Sequence, residues 1–369
     1  MPTSQQATVL HIHFWADNRN SAGSVEKVIT AFASHGQAYR HEIACCPTEP
    51  SVPQIFEHHG VTVHAFRESR LVNRIFNKML RLNAFTFSDL VRLINRLQPA
   101  ILHFHNRQEL VDSIVRRLNY RPVALVHYHR HFASPVIPTL ADRLLFISQR
   151  TAADILGKTG TNKPSDIVFN PISLEILEHQ QKRFHAVPTK GLPTILFGGG
   201  GNPIKGGKEL IEAFASLPKG SARLILAGRN VERLPGLPQD GIEVLGEVPA
   251  EKFFDLMLSA DIVTMPSYDE PFGLIAQEAM LLRKLLVLSG SGGLLEFTGE
   301  DCAVIVQPRS VASLKDGLLR AIALLSEAEV TKLSVMLDCA TARVDAFRPS
   351  HVSSRLEKVY DLARGIERI

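Results

Sequence analysis

The chain has 369 residues, 45% of them apolar and 21% charged, with a formal net charge of +4. At roughly 150 residues per domain this length supports two domains, each able to bury a core without disulfide or metal staples. No apolar run approaches the ~18 residues of a membrane span, and the N-terminus MPTSQQATVLHIHFW lacks the basic and long apolar regions of a secretion signal. The four cysteines, Cys45, Cys46, Cys302 and Cys339, have no C-x-x-C spacing, so a reducing, cytoplasmic setting is expected.

In chain order, ATVLHIHFW, YRHEIACC, VTVHAF, PAILHFH, PVALVHYH and RLLFIS read as strands of a first half. TILFGGG, ARLILAG, IEVLG, DIVTMPS, KLLVLS and CAVIVQ read as strands of a second. Amphipathic segments such as SVEKVITAFASHG, KELIEAFASLP, EKFFDLMLSA and SVASLKDGLLRAIALL fall between them. Strand alternating with helix implies an α/β protein with two doubly wound, Rossmann-like domains and ligand sites at the carboxyl ends of the strands. The expected divisions are a first domain over 1–172, a linker over 173–190 rich in turn residues, and a second domain over 191–348. A final helix over 349–369 is expected to return to the first domain.

The first strand leads into ADNRNSAGSVEKV, where Gly23 and Ser24 open a helix and let a ligand approach its free N–H groups. Further on, Arg67, Arg70, Arg74, Lys78 and Arg81 are spaced 3, 4, 4 and 3, one side of a helix that also carries Leu71, Ile75, Met79 and Leu82. This basic stripe contributes to an excess of 19 Lys and Arg over 12 Asp and Glu in residues 1–170. It reads as a contact for an anionic membrane surface; with few interleaved aromatics and no nucleic-acid motif, nucleic acid is not expected. A solvated helix face is the plain alternative.

Three strands finish in H-x-H: His11 and His13, His103 and His105, His127 and His129, with His131 just beyond. A period of two puts each pair on one face of its strand. Imidazoles there suit polar site residues, structural filler or metal ligands, so a metal-dependent hydrolase is a competing expectation. No H-E-x-x-H or D-x-D occurs to complete a recognisable metal site.

In the second half, FGGGGNPIKGGKELIEAF is a Gly-rich strand-to-helix turn carrying Lys205, suited to a diphosphate although neither a P-loop nor a dinucleotide fingerprint. PSYDEPFGLIAQEAM follows a strand and places Glu270 in a loop, with Pro271 at the expected start of a helix. The amides of Gly273, Leu274 and Ile275 would then face an anion, while Glu270 and Glu278 suit sugar and ribose hydroxyls.

E-P-F-G-L-x-x-x-E, Glu270 to Glu278, resembles the paired-glutamate motif of retaining nucleotide-sugar glycosyltransferases, family 4, of the GT-B fold. IKGGKELIEAF, IEVLGEVPAEKFFDLMLSADIVTMPS and GSGGLLE resemble that family in order and spacing. Gly23 with SVEKV, FHNRQ, LVHYHR, LLFIS and FNPIS do so more weakly. HNR and L-V-H-Y-H are similar to lipopolysaccharide-core and surface-polysaccharide hexosyltransferases. The resemblance implies two domains facing across a cleft and transfer of a hexose or N-acetylhexosamine from a nucleotide-diphosphate sugar, a UDP-sugar first. The acceptor would be a (lipo)polysaccharide or lipid-linked glycan. It implies retention of configuration, no cofactor and no metal, with the enzyme peripheral on the inner face of the cytoplasmic membrane.

By position, the resemblance gives Lys205 the donor diphosphate, Glu278 the ribose, and Glu270 with the amides after Phe272 the transferred sugar and its phosphate. His129 would stand beside the donor sugar, with His127 one register away as the alternative. Gly23 would line the opposite wall, and Val248, in the Gly246–Val248 turn, would lie near the base. Two departures stand out. Gly199 occupies a position that often holds arginine in the family, for which Arg229 is a partial substitute, and Asn170-Pro171-Ile172-Ser173 replaces the usual N-G-V-D turn. A non-catalytic nucleotide-sugar-binding protein is a further alternative.

Overall fold

A computed structural model describes residues 6–13, 24–46, 52–66, 87–174, 176–177, 191–237 and 239–366. They form two compact domains. The first takes the chain up to Ile147, Thr151–Pro171 and the segment from Pro349; the second takes Ser148–Arg150 and Ile172–Arg348. Gly23, the side chain of Ser24, the basic stripe from Arg67 to Arg81 and most of the expected linker lie outside the described residues.

In the first domain the strands are β1 (Thr8–His13), β2 (Arg40–Cys45), β3 (Ile55–His58), β4 (Val61–Ala65), β5 (Ile101–His105), β6 (Val123–Tyr128), β7 (Arg143–Phe146) and β8 (Ser165–Ile167). The helices are α1 (Ser24–His35), α2 (Ser88–Leu97), α3 (Val111–Val115) and α4 (Gln149–Thr159). The sheet runs β3-β4-β2-β1-β5-β6-β7-β8. All its pairings are parallel except β3 with β4. His59 and Gly60, both at positive φ (47° and 74°), form the two-residue hairpin turn between those strands, the geometry that matches the right-handed strand twist.

Alternation sorts the side chains of the central strands. Leu10, Ile12, Leu102, Phe104, Ala124, Val126 and Tyr128 pack with Leu90 and Ile94 of α2, Val111 and Ile114 of α3, and Ile155 of α4. Full burial of each large apolar side chain there is worth about 1.5–3 kcal/mol. The opposite face is covered by α1, whose Ile29 and Ala33 pack on Ile43, Cys45 and Val63.

The second domain contains β9 (Thr194–Phe197), α5 (Gly207–Ala215), β10 (Arg223–Ala227), β11 (Ile242–Gly246), α6 (Ala250–Ser259) and β12 (Ile262–Met265). It continues through α7 (Leu274–Leu281), β13 (Leu285–Ser289), β14 (Val304–Val306), α8 (Val311–Leu324) and α9 (Val330–Val344). The six strands are parallel in the order β11-β10-β9-β12-β13-β14. Apolar faces of α5, α8 and α9 close the core over Ile195, Leu224, Ile262 and Val287. The last helix, α10 (Pro349–Arg364), rejoins the first domain and packs along α1, where Ser353 Oγ donates to Phe32 O at 3.2 Å. No described helix is long and apolar enough to cross a membrane.

Strand order reverses between β1 and β5 in the first sheet, and between β9 and β12 in the second. These are the topological switch points, where loops diverge and leave a crevice at the carboxyl ends.

Candidate active site

The second switch point brings together two of the motifs. β9 ends at Phe197 and passes through Gly198–Gly201 into a 3-10 turn, Pro203–Lys205, capped by Asn202, whose Oδ1 accepts from Ile204 N–H at 3.2 Å. β12 ends at Met265 and runs into the loop that carries Glu270. Lys205 Nζ donates to Glu270 Oε2 at 2.6 Å, and Ser267 Oγ donates to the same oxygen at 3.2 Å. Glu270 is buried while the Lys205 side chain remains 29% exposed. An ammonium has three donors, so Lys205 can hold Glu270 and an anionic ligand together.

The loops are fastened to each other and to β13. Tyr268 N–H donates to Ile204 O at 2.7 Å, and Tyr268 Oη donates to Glu209 at 2.6 Å. Burial and the Glu209 carboxylate push the Tyr268 hydroxyl up to about 12, so it stays protonated. Ser289 and Ser291 hydroxyls both donate to Ser267 O, the second at 2.8 Å. The GSGGLLE turn sits directly behind Glu270: Gly293 N–H donates to Glu270 O at 2.6 Å. Gly292 has φ +60°, and a Cβ there would fall 2.0 Å from the same oxygen. Gly206, at φ +73°, gives Pro266 O the same close approach at 2.2 Å. These glycines are required by packing between the two loops.

Helix α7 starts at Leu274, three residues later than Pro271. Gly273 is its N-cap, at φ 109°, and this left-handed turn redirects the chain after Pro271 and Phe272. The N–H groups of Leu274 and Ile275 precede the first intrahelical bonds, which run from Ala276 and Gln277 to Gly273 O at 3.0 and 3.3 Å, and carry the positive end of the helix dipole. Leu274 and Ile275 are half-buried. Glu278, buried one turn in, accepts from Ser173 Oγ at 3.0 Å. Serine in place of an acid in the Asn170–Ser173 turn supplies a donor to this carboxylate rather than a like charge.

One expectation is corrected here: Pro271 does not open the helix, whose first residue is Leu274. The Phe272 side chain is 2% exposed and packs on Phe297 and Phe347, with ring centroids at 5.2 and 5.9 Å. The exposed Arg229 guanidinium holds Glu247 through two hydrogen bonds, at 2.9 and 3.1 Å. Gly199 itself has no room for a side chain, since a Cβ would lie 2.4 Å from Phe197 Cζ and 2.8 Å from Lys205 Cβ. Val248 is half-buried, two residues beyond Gly246, whose carbonyl accepts from Gly228 N–H at 2.7 Å.

In the first domain the three H-x-H pairs merge into one surface. His11 lies opposite His103, and His105 opposite His127, in the parallel register. His41 of β2 extends the row. His11, His103, His105 and His127 are fully buried; His129, just past the carboxyl end of β6, is 7% exposed. Its backbone N–H donates to Asn106 Oδ1 at 2.7 Å, and its Nδ1 lies 3.2 Å from Asn170 Oδ1. His127 donates from Nε2 to Val168 O at 3.2 Å. Burial and the neighbouring His127 hold the His129 pKa well below the ordinary imidazole value.

Two groups, His11–His103–His105 and His105–His127–His129, bring ring nitrogens within 4.8 Å of one another. Both nitrogens of His105 are already engaged, by His11 at 3.0 Å and His129 at 2.9 Å. A hydrolytic metal centre also needs an open position for water, and the shared ring is fully buried. The partnership of these rings with His41 and Glu357 was not legible in the sequence, where 316 residues separate those two.

Comparison with known proteins agrees with the motifs. The family described as "Glycosyl transferases group 1" matches residues 178–331. A teichuronic acid biosynthesis glycosyltransferase of Bacillus subtilis, TuaC, described as putative, is 31% identical over 116 residues, 31% of this chain and 29% of that protein. The chain thus spans less than a third of this relative's length. The lipopolysaccharide 1,2-N-acetylglucosaminetransferase of Salmonella typhimurium is 24% identical over 71% of this chain and 74% of its own. Among solved structures, sucrose-phosphate synthase from Thermosynechococcus elongatus superposes with a TM-score of 0.74 at 18% identity, covering 98% of this chain and 100% of that one. Anabaena HepE in complex with UDP and glucose gives 0.70 at 15% identity, covering 96% and 100%. The fold is that of these two-domain GT-B proteins, and residues 178–331 are similar to the glycosyl transferases group 1 family.

Proposed function

We propose that this protein transfers a hexose or N-acetylhexosamine from a nucleotide-diphosphate sugar to a growing bacterial surface glycan, with retention of configuration. The observation that carries the reading is the 2.6 Å contact between Lys205 and Glu270 at the β9–β12 switch point, next to the free N–H groups of α7. A lysine and a helix N-terminus aimed at one place suit a leaving diphosphate: they stabilise charge as it develops, without reorganising. Glu270 and Glu278 accept hydroxyl hydrogen bonds from the sugar and the ribose. His129 serves the donor sugar from the first domain.

The chain has no D-x-D sequence, so in this reading the diphosphate is neutralised by protein groups, and the donor's own phosphate oxygen takes the acceptor proton. The Salmonella relative's name, together with the basic stripe from Arg67 to Arg81, supports a lipid-linked or lipopolysaccharide acceptor at the cytoplasmic membrane surface. Release of nucleoside diphosphate from a panel of UDP-, GDP- and ADP-sugars, in EDTA and with or without anionic vesicles carrying acceptor, tests these points. Wild type is expected to release one nucleotide, UDP first. Lys205→Ala and Glu270→Ala are each expected to lose at least about 10²-fold in turnover, the size of one preorganised charge contact. Turnover unchanged in either variant refutes the site; turnover abolished by EDTA refutes the metal-free mechanism.

A further inference from the structure

Four imidazoles of the first domain form one unbranched hydrogen-bonded chain. Glu357 Oε1 on α10 lies 3.3 Å from His41 Nε2. His41 Nδ1 lies 2.9 Å from His11 Nε2. His11 Nδ1 lies 3.0 Å from His105 Nε2. His105 Nδ1 lies 2.9 Å from His129 Nε2. His129 Nδ1 then reaches Asn170 Oδ1 at 3.2 Å. Gly36 leaves the space His41 occupies, since a Cβ there would fall 2.1 Å from its Nε2.

Each link needs one proton. There are five links, both ends are acceptors, and four neutral imidazoles carry only four N–H groups. The fifth proton has one favourable place, His41, the ring beside a carboxylate. Glu357 is fixed as that carboxylate: burial pushes its pKa up, but His41 and the N–H groups of Ala38 and Tyr39, at 2.8 and 3.2 Å, outweigh this and hold it below its usual range. Burial first, then neighbouring rings, keeps His11, His105 and His129 well below the ordinary imidazole value, so the resting proton is not on them.

Other ionisable groups around the chain have partners of their own. His13 of β1 is paired with Glu26 of α1 at 3.2 Å. His103 accepts at Nδ1 from Tyr360 Oη at 2.8 Å, burial keeping that hydroxyl protonated. His127 donates to Val168 O. Asp361 is held by Tyr39 Oη at 2.6 Å.

We propose that this chain stores one proton beside Glu357 and delivers it to His129 when negative charge is placed next to that ring. Delivery takes three hops. The proton on His41 Nδ1 passes to His11 Nε2, the one on His11 Nδ1 to His105 Nε2, and the one on His105 Nδ1 to His129 Nε2. His41 ends neutral, His129 ends as imidazolium, all five links persist, and no other bond changes. Glu357, His41, His11 and His105 are then positioning residues that make His129 a cation on demand. The delivery step rests on the reading of His129 as a donor-side residue; the stored proton does not.

Histidine-selective ¹⁵N NMR of the full chain at pH 7.5 tests the store directly. The expected result is one imidazolium, at His41, with His11, His105 and His129 protonated at Nδ1. Glu357→Gln should lose the imidazolium signal while circular dichroism stays unchanged. Four neutral rings in wild type, the pattern of an Asn170 amide turned to donate from its nitrogen, overturn the proposal.

Delivery is read by adding UDP, which should move the imidazolium signal from His41 to His129 in wild type and leave it at His41 in His105→Asn, where the chain is cut. A signal unmoved by bound UDP in wild type, or moved equally in the cut variant, overturns delivery. Should Glu357→Gln fail to fold, the wild-type spectrum and the His105→Asn comparison still decide. Absence of sugar transfer would refute the proposed function and leave the NMR result standing.

Discussion

Gly199 shows how a single position limits the donor site. The family resemblance places an arginine there, and restoring it looks like a route to tighter diphosphate binding. The structure gives the opposite expectation. A Cβ at residue 199 meets Phe197 and Lys205 at 2.4 and 2.8 Å, so Gly199→Arg must displace the lysine it would assist. Overpacking of this kind costs about 1–3 kcal/mol. Gly199→Arg is expected to lose that much stability in urea unfolding and to bind donor more weakly by titration calorimetry; tighter binding would contradict this account of the turn. Lys205, Glu270 and Glu278 were legible as site candidates because charge at fixed offsets from glycines and a helix start has few structural uses. The packing of the Phe272 ring was not legible, because a motif specifies which residue stands in the loop and not which way its ring turns. The pairing of Arg229 with Glu247 was not legible, because Glu247 belongs to the next strand's exit.

At the level of elements, every strand expected from an apolar run is present. The two that went unseen, β3 and β8, are short, peripheral and partly exposed, so they carry little of the apolar signal that marks central strands. The start of α7 was placed too early because proline favours a first helical turn, whereas Gly273 at positive φ breaks the path between them. Alternation correctly put each histidine pair on one face, but it could not say that neighbouring strands would align those faces. The cover over that face is α10, tied down by polar contacts as well as by packing. Tyr39→Phe removes the 2.6 Å hydrogen bond to buried Asp361 and is expected to cost about 1–3 kcal/mol. Hydrogen exchange in α10 should rise correspondingly, and unchanged protection there would show that packing alone holds the helix.

For the whole molecule, the buried imidazoles determine how the fold responds to acid. Burial holds His11, His103, His105, His127 and His129 below their ordinary 6.5, His127 at about 3. Unfolded, these rings bind protons as pH falls through 6.5; folded, they refuse them until lower pH. The unfolded chain therefore binds more protons in that window, and stability drops by up to about 1.4 kcal/mol per pH unit for each ring. Glu42, depressed mainly by its bond from His64 and by Arg40, adds stability that is complete above its unfolded pKa and lost as pH falls through its lower folded value. Urea unfolding at pH 7.5, 6.5 and 5.5 should show the first domain weakening steeply across this range while the second changes little. A flat profile would mean the rings are not buried as described.

The return of α10 to the first domain also sets a timetable for synthesis. The second domain is nearly continuous, Ile172–Arg348, and all of it leaves the ribosome before Pro349 does. At roughly 5–20 residues per second, the imidazole-lined face waits on the order of ten seconds or more for its cover and for Glu357. During that interval the nascent first domain exposes a row of basic rings with no counter-charge from α10. The domain translated first is thus the one completed last, and a chain stalled before Pro349 would present a finished second domain beside an open first one.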